Sequence, residues 1–399
     1  MGANFQVVAL GTGSKCLGEN EVSLDGSLVH DSHAEVVAKR AFVTYLLHQL
    51  EKALQRAQQN VLPDACLTED FIFNYDKTCQ QFRLRNGIKF HFYSSHPPCG
   101  DATIAPKSTS EKLSDQNDCS FRNYTKRQKL EESSVKDIYR TGAKCIDENS
   151  VKDPINTSCL AAYHVLGAIR RKPGRGDPTQ SLSCSDKMSK WMFVGLQGSI
   201  LSAVIANNPI KVSSVTIGSD QFNVESLQRC LFDRFLEGCK GPLSQIPLLH
   251  TNVKFQFGRT HAGQVKSIND AGLFACSNSI VHSQCDDELV LHEVMVDGRK
   301  QGIIKKYFGT PKARVNICRL NLANRYARLL RQIHLGCDTR ECTFCDFLKD
   351  EMVNYRDLKL RCQNQSSWYK NHIEKFVKFV PGFHEARQSR RSRIDNFYI

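Results

Sequence analysis

No run of apolar residues reaches the roughly eighteen that a membrane helix requires, so no spanning helix is expected. Met1–Leu10 lacks the charged flank and long apolar stretch of a secretory leader. Met1-Gly2 does not read as a myristoylation signal, because Gln6 stands where Ser or Thr is wanted. The turn Gly11-Thr12-Gly13-Ser14-Lys15 lacks the GxxxxGK[ST] spacing of a P-loop. No internal repeat is visible. Acidic residues are also short: 41 Asp and Glu face 54 Lys and Arg, a net charge of +13. That excess suits a polyanionic partner such as nucleic acid, a polyphosphate or an acidic surface; the plain alternative is a soluble basic protein. Cysteine, by contrast, is abundant and odd in number, at 17. With no leader in view, this points to a reduced intracellular protein of the cytoplasm and/or nucleus. Its cysteines are then core residues or ligands.

The 399 residues, 41% hydrophobic, suffice for one large core or two domains. Phe5–Leu10 reads as a buried strand. Phe71–Asn74, Lys89–Ser94, Val212–Gly218 and Leu289–Val296 read as further strands. Val36 to about Gln58 reads as a helix, with Val37, Ala41, Val43, Leu46, Leu47, Leu50 and Leu54 on its apolar face. Met188–Ile205 reads as a mainly buried helix with a glycine in its middle, and Leu320–Gln332 and Phe347–Arg361 as later helices. Residues 107–136, rich in Ser, Lys, Asp, Asn and Gln, read as a disordered surface insertion. Cys145–Thr157 is a second polar stretch, Arg170–Arg175 a basic loop broken by Gly and Pro, and Arg387–Arg393 a mobile basic tail.

His33-Ala34-Glu35 opens the long helix, and Pro98-Cys99-Gly100-Asp101 and Ser183-Cys184-Ser185-Asp186-Lys187 follow far downstream. One imidazole, two thiols and one carboxylate are the parts of a hydrolytic zinc site. Three protein ligands leave a fourth position for water, whose pKa zinc would lower toward about 7. Glu35 would then move protons instead of binding metal. Singly, each residue has a plainer reading. Ser32-His33-Ala34-Glu35 also has capping-box spacing, and Cys99 and Cys184 could be two more buried thiols. Their joint occurrence favours zinc. A second cluster, His334…Cys337-x4-Cys342-x2-Cys345, has spacing that allows a structural zinc site, or simply cysteines in a helical turn and the helix after it.

The HAE, PCGD and SCSDK blocks, in this order and at these separations, resemble the adenosine deaminases acting on RNA. The segments Leu10–Cys16, Tyr139–Cys145 and Lys172–Asp177 running through Ser183–Trp191 are most similar to the tRNA-specific branch. That branch converts the adenosine just 3′ of the anticodon to inosine. The resemblance covers most of residues 5–205 and thins beyond 210. It implies an α/β fold: a cytidine-deaminase-like mixed sheet flanked by helices, with a mainly helical C-terminal extension. It implies a single deaminase domain over residues 1–385 and a basic tail over 386–399. One zinc per chain would be bound by His33, Cys99 and Cys184, with Glu35 the proton shuttle for hydrolytic attack at C6 of adenine and loss of ammonia. Short-spaced zinc deaminases use PC-x-x-C. Ala102 occupies the second position here, so the third ligand comes from afar and Cys184 meets that need.

The resemblance also implies a buried inositol hexakisphosphate, held by Lys39, Arg40, Lys187, Lys190, Lys349, Tyr355, Lys359 and Trp368, with Asp31 linking Lys187 toward the zinc site. Ser14 and Lys15 would face the substrate, and the basic loop Arg170–Arg175 would touch RNA. The implied partner is tRNA, with no membrane, no DNA and no obligate protein partner. Three alternatives stay open. A messenger-RNA editase would want double-stranded RNA-binding modules, for which there is no sequence before residue 5. An inactive RNA-binding relative is disfavoured by the intact Glu35. A free-nucleoside or cytidine deaminase is disfavoured by the wide ligand spacing and the basic excess.

Overall fold

The computed structural model describes residues 5–59 (except 24), 71–105, 141–145, 166–233 (except 175, 176, 207, 208 and 220), 246–255 (except 254), 276–285 and 291–334. The insertion at 107–136, the cysteines of the second metal cluster, Lys349, Tyr355, Lys359, Trp368, the Phe347–Arg361 helix and the tail lie outside the described residues.

Helix α1 (Ala34–Gln58) runs through the centre of the molecule and is buried on nearly every side. Its apolar residues Val37, Ala41, Leu46, Leu47 and Leu50 enter the core, but so do Lys39, Arg40, His48 and Gln49. All-round burial places a helix inside a domain instead of on its surface. Along one side lies a four-stranded antiparallel sheet in the order β1 (Ala9–Gly11), β9 (Asn278–Ser283), β10 (Leu291–Val296), β11 (Arg299–Lys300). Gly11 pairs with Val281, and His282 with His292. The Ser283 hydroxyl donates to the Ala41 carbonyl at 3.0 Å and ties β9 to α1. Gly11 lets β1 approach the helix backbone: a Cβ there would lie 2.3 Å from the Ala38 nitrogen.

A second, parallel sheet consists of β4 (Phe90–Ser94), β7 (Val212–Ile217) and β8 (Leu248–His250), with β7 central. The hairpin β2 (Phe73–Asp76)–β3 (Gln81–Leu84) packs toward the C-terminal half of α1 and buries Phe82. The short pair β5 (Lys144–Cys145)–β6 (Arg170–Arg171) lies nearer the site. Helices α2 (Cys184–Val194), α3 (Gly198–Leu201), α4 (Val224–Gln228) and α5 (Arg319–His334) complete the described structure, a mixed α/β architecture as expected. Among the described residues no helix is long and apolar enough to cross a membrane.

Two expectations, and one alternative reading, need correction. Only Ala9–Gly11 forms a strand, at a sheet edge, and Phe5 and Val7 ahead of it are 79% and 64% exposed. The Met188–Ile205 helix is two helices. Gly195 breaks it at φ +88°, a left-handed conformation that suits glycine. The capping box does not form: His33 is the N-cap and no side chain caps it, while the Ser32 hydroxyl turns to the Met295 sulfur.

Candidate active site

Three chain segments meet where α1 and α2 begin. His33, extended at the end of α1, is held by Ala34 N–H donating to the Gly13 carbonyl at 2.9 Å. Cys99 precedes a single turn, Asp101–Thr103. Gly100 sits at φ +109°, so close to Ser183 that a Cβ would lie 2.2 Å from its hydroxyl oxygen. Cys184 is the first residue of α2, capped by Ser183, whose hydroxyl accepts from Asp186 N–H. Ser185 joins the two thiol segments: its N–H donates to the Cys99 carbonyl at 2.9 Å. Its hydroxyl lies 3.0 Å from the Pro98 and Cys99 carbonyls and accepts from Ala102 N–H at 3.1 Å. Two donors at helix starts are favourably placed, since the helix dipole stabilises a thiolate.

Cys184 adjoins both Cys99 and Glu35, and Cys99 adjoins the His33 ring. Cys184 N–H lies 3.3 Å from Cys99 Sγ, and Cys184 Sγ lies 3.2 Å from Glu35 Oε2. The His33 ring interacts with the Cys99 thiol on one side, and its Nδ1 bonds Asp31 Oδ1 at 2.9 Å on the other. That leaves Nε2 for a metal and Asp31 as the carboxylate that orients the ring. The bond from Cys184, assisted by Lys172 and His33, holds the Cys99 thiol well below the usual range. Burial, with Cys99 and Glu35 beside it, pushes Cys184 up. Burial opposes protonation of His33, yet Asp31 raises the ring to about 11. A metal on Nε2 would replace that proton. One imidazole and two thiols, gathered with a half-buried carboxyl beside them, are a donor set that would suit zinc. Burial also raises Glu35, with a further push from Cys99, which suits a group that takes up and releases protons.

Asp31 is the hub of the surrounding network. It accepts from Lys172 Nζ at 2.7 Å, from Ser181 Oγ at 2.7 Å and from Lys187 Nζ. Burial works against its charge, but the two ammonium groups hold it well below the usual carboxylate range. The link to Lys187 was expected; the link to Lys172 was not. The sequence places Lys172 in an RNA-facing basic loop, yet it is buried and its charge faces inward. Arg170 is equally buried, in β6, with its guanidinium on the Ala143 carbonyl. Of the described residues 170–174, Arg170 and Lys172 therefore serve as internal supports, while Arg171 and Gly174 are half-buried and Pro173 is exposed. Cys16, Asp31 and His33 also form a potential metal cluster, with their donor atoms within 4.8 Å of one another. It lies on the Nδ1 side of His33, where Asp31 already holds two cations, so the Cys99–Cys184 side is the better metal site. Ser14 is exposed and Lys15 half-buried beside His33, with Ser32 N–H donating to the Lys15 carbonyl at 2.8 Å.

Further along α1 positive groups accumulate. Burial, then Arg40 and Lys190, lowers Lys39 to about 7; burial, then Arg319, lowers Arg40 to about 10. His30 falls to about 4 through burial and the charges of Arg319, Arg40 and Lys187. Its Nε2 is buried and has no hydrogen-bond partner among the described residues. Cations packed so closely want a polyanion among them. Arg319 and His30 were not picked out as anion ligands in the sequence. The cue available was Arg319 at the start of the last described helix.

A histidine, two cysteines and a glutamate gathered where α1 and α2 begin, within a mixed α/β fold, are a side-chain set suited to hydrolytic deamination. The adenosine-deaminase (editase) domain family matches residues 9–376. Human tRNA-specific adenosine deaminase 1 is 31% identical over 82% of this chain and 78% of its own length. The Drosophila melanogaster protein of the same name is 31% identical over 82% of this chain and 72% of its own. The Drosophila double-stranded RNA-specific editase Adar is 27% identical over 59% of this chain and 30% of its own. The chain belongs to the adenosine-deaminase (editase) domain family, a family of hydrolytic deaminases.

Proposed function

We propose that this protein deaminates adenosine to inosine in tRNA, at the nucleotide just 3′ of the anticodon, and that it does so with one bound zinc. The observation that carries the reading is the half-buried Glu35 carboxyl in contact with Cys184, beside His33 and Cys99. The tRNA substrate rests on the names of the relatives that match over most of the chain. His33 Nε2, Cys99 Sγ and Cys184 Sγ would hold the metal. When bound, zinc supplies the Lewis acidity that makes water nucleophilic near neutral pH. Glu35 takes a proton from the hydrolytic water onto its carboxylate and passes it toward the ring nitrogen and the departing amine at C6. Asp31 keeps the His33 ring in one orientation, and Lys172 and Lys187 keep Asp31 ionised. An anticodon loop presents its base already unpaired, so bringing it into the pocket costs little.

The four-stranded and three-stranded sheets around α1 accord with a cytidine-deaminase-like arrangement, and we take the family-matched span as one catalytic unit. Inositol hexakisphosphate is the polyanion that suits the cations beside α1. Lys39, Arg40, Lys187 and Lys190 would hold it, joined by His30 and Arg319; the expected Lys349, Tyr355, Lys359 and Trp368 would come from the C-terminal region. The orphaned His30 Nε2 supports this reading.

The test is incubation of purified protein with a mixed tRNA pool and mapping of inosine. Inosine at the nucleotide 3′ of the anticodon is expected; inosine only in duplex RNA would make it a messenger-type editase instead. Glu35→Gln should retain one zinc per chain and lose at least about 100-fold in rate. Retained activity would mean that another group moves the protons.

A further inference from the structure

The hairpin turn Asp297-Gly298 leads into a segment unlike the rest of the surface. Residues 297–314 contain six cations (Arg299, Lys300, Lys305, Lys306, Lys312 and Arg314) against the single acid Asp297. Lys300 approaches Glu293 at 3.6 Å. Among the described residues, Lys305, Lys306 and Lys312 have no carboxylate within ion-pair distance. They are organised nonetheless. Lys306 and Lys312 lie over the Tyr307 ring at 5.0 and 4.8 Å, and Arg299 lies over Phe308 at 4.5 Å. Two ammonium groups gathered on one ring repel each other, and an anion between them would relieve that. Phe308 and Ile304 are 42% and 56% exposed.

Both ends of the segment are pinned close to the active site. The Gly298 carbonyl accepts from Val29 N–H at 3.1 Å, two residues before Asp31. Beyond the other end, the Ile317 carbonyl accepts from Arg40 of α1 at 2.9 Å, and Asn316 N–H donates to Glu293 at 2.7 Å. β9 and β10 deliver Asn278 and Val296 to this same end of the sheet, where Ser279 bonds the Ser32 carbonyl at 3.2 Å.

We propose that residues 299–312 form a second RNA contact beside the active site, with Lys305, Lys306 and Lys312 on backbone phosphates and Phe308 against a base or ribose. Cations interleaved with aromatic rings are what single-stranded RNA requires: charge for phosphates and a ring face for a base. The proposal rests on the tRNA reading above. It places substrate recognition on a segment well outside the three site motifs.

The test compares wild type, the triple variant Lys305→Ala/Lys306→Ala/Lys312→Ala, Phe308→Ala, and a control triple Lys77→Ala/Arg83→Ala/Lys89→Ala. The control removes the same charge from the β2–β4 region. Binding of a labelled, unmodified tRNA transcript is followed across salt concentrations, together with inosine formation. For the loop triple, Kd should rise roughly 10- to 100-fold, and the slope of log Kd against log salt should fall by about two. kcat at saturating tRNA should hold. Phe308→Ala should weaken binding about fivefold or more with the salt slope unchanged. The control should bind as wild type. Equal losses in the control, or no loss in the loop triple, overturn the proposal. So does loss of binding to phosphatidylserine vesicles with tRNA binding intact, which would make the segment a lipid contact. If wild type binds tRNA through this segment but forms no inosine, the functional reading fails while the contact stands.

Discussion

Gly11→Ala is a small change with a large expected effect. The Gly11 backbone is not in the left-handed region, so the residue is not there for conformational freedom. It is there for space. An added Cβ would lie 2.3 Å from the Ala38 nitrogen, 2.6 Å from the Ala34 oxygen and 2.8 Å from Val37 Cβ. The closest of these is more than an ångström short of ordinary contact, and two of the three atoms are backbone of α1 that cannot swing aside. Either β1 lifts from the helix or the first turn of α1 moves. That turn carries Glu35 and follows directly on His33. Overpacking of this kind costs about 1–3 kcal/mol. A displacement near 1 Å at a reacting group costs about 100-fold in rate. Gly87→Ala is the control: Gly87 sits at φ +88° with nothing within 4 Å of its Cβ position, so it adds strain of about 1 kcal/mol without crowding. Inosine formation, thermal melting and zinc content are measured on both. Gly11→Ala should melt lower and lose most of its activity; Gly87→Ala should melt somewhat lower and keep its activity. Wild-type kcat in Gly11→Ala would refute the argument that β1 sets the position of the site.

Three further outcomes are expected. Lys172→Met should lower stability by about 2 kcal/mol in urea titration, below the 3–5 typical of a broken buried pair, because Lys187 still faces Asp31. Arg229→Met should cost about 3 kcal/mol, since Arg229 binds the fully buried Asp101 through Nε at 3.0 Å and also two carbonyls of the segment after Cys99. In protein stripped of polyanion, stability should rise as pH climbs from about 7 toward 10. Over that range the unfolded chain keeps the Lys39 proton that the folded chain has released, and Lys39→Met should flatten the rise.

The chemistry was legible because it uses scarce side chains in fixed company. His33, Glu35, Cys99 and Cys184 announce themselves by type, and each lies at or beside the start of a helix or turn, where short motifs are easily read. Lys172 was not legible. A Lys-Pro-Gly run with arginines on either side looks solvated, and the carboxylate that draws it inside lies 141 residues away. Phe5–Leu10 has the apolar content of a buried strand, but burial depends on what covers it, and β1 is an edge. The break at Gly195 shows the same limit: a glycine inside an apolar helical pattern is compatible with either a continuous helix or two. The place of His30 among cations was hidden because Arg40, Lys187 and Arg319 converge on it only in three dimensions.

Asp31 has a consequence for the order in which the molecule is made. Its lysine and serine partners come 141, 150 and 156 residues later in the chain. At about 5–20 residues per second of synthesis, Asp31 waits on the order of 10–30 s for Lys187 to emerge. Contacts so distant in sequence form late and slowly. No shorter nascent chain therefore carries a partly working centre, and competence arrives only when the middle of the polypeptide has closed back on its beginning.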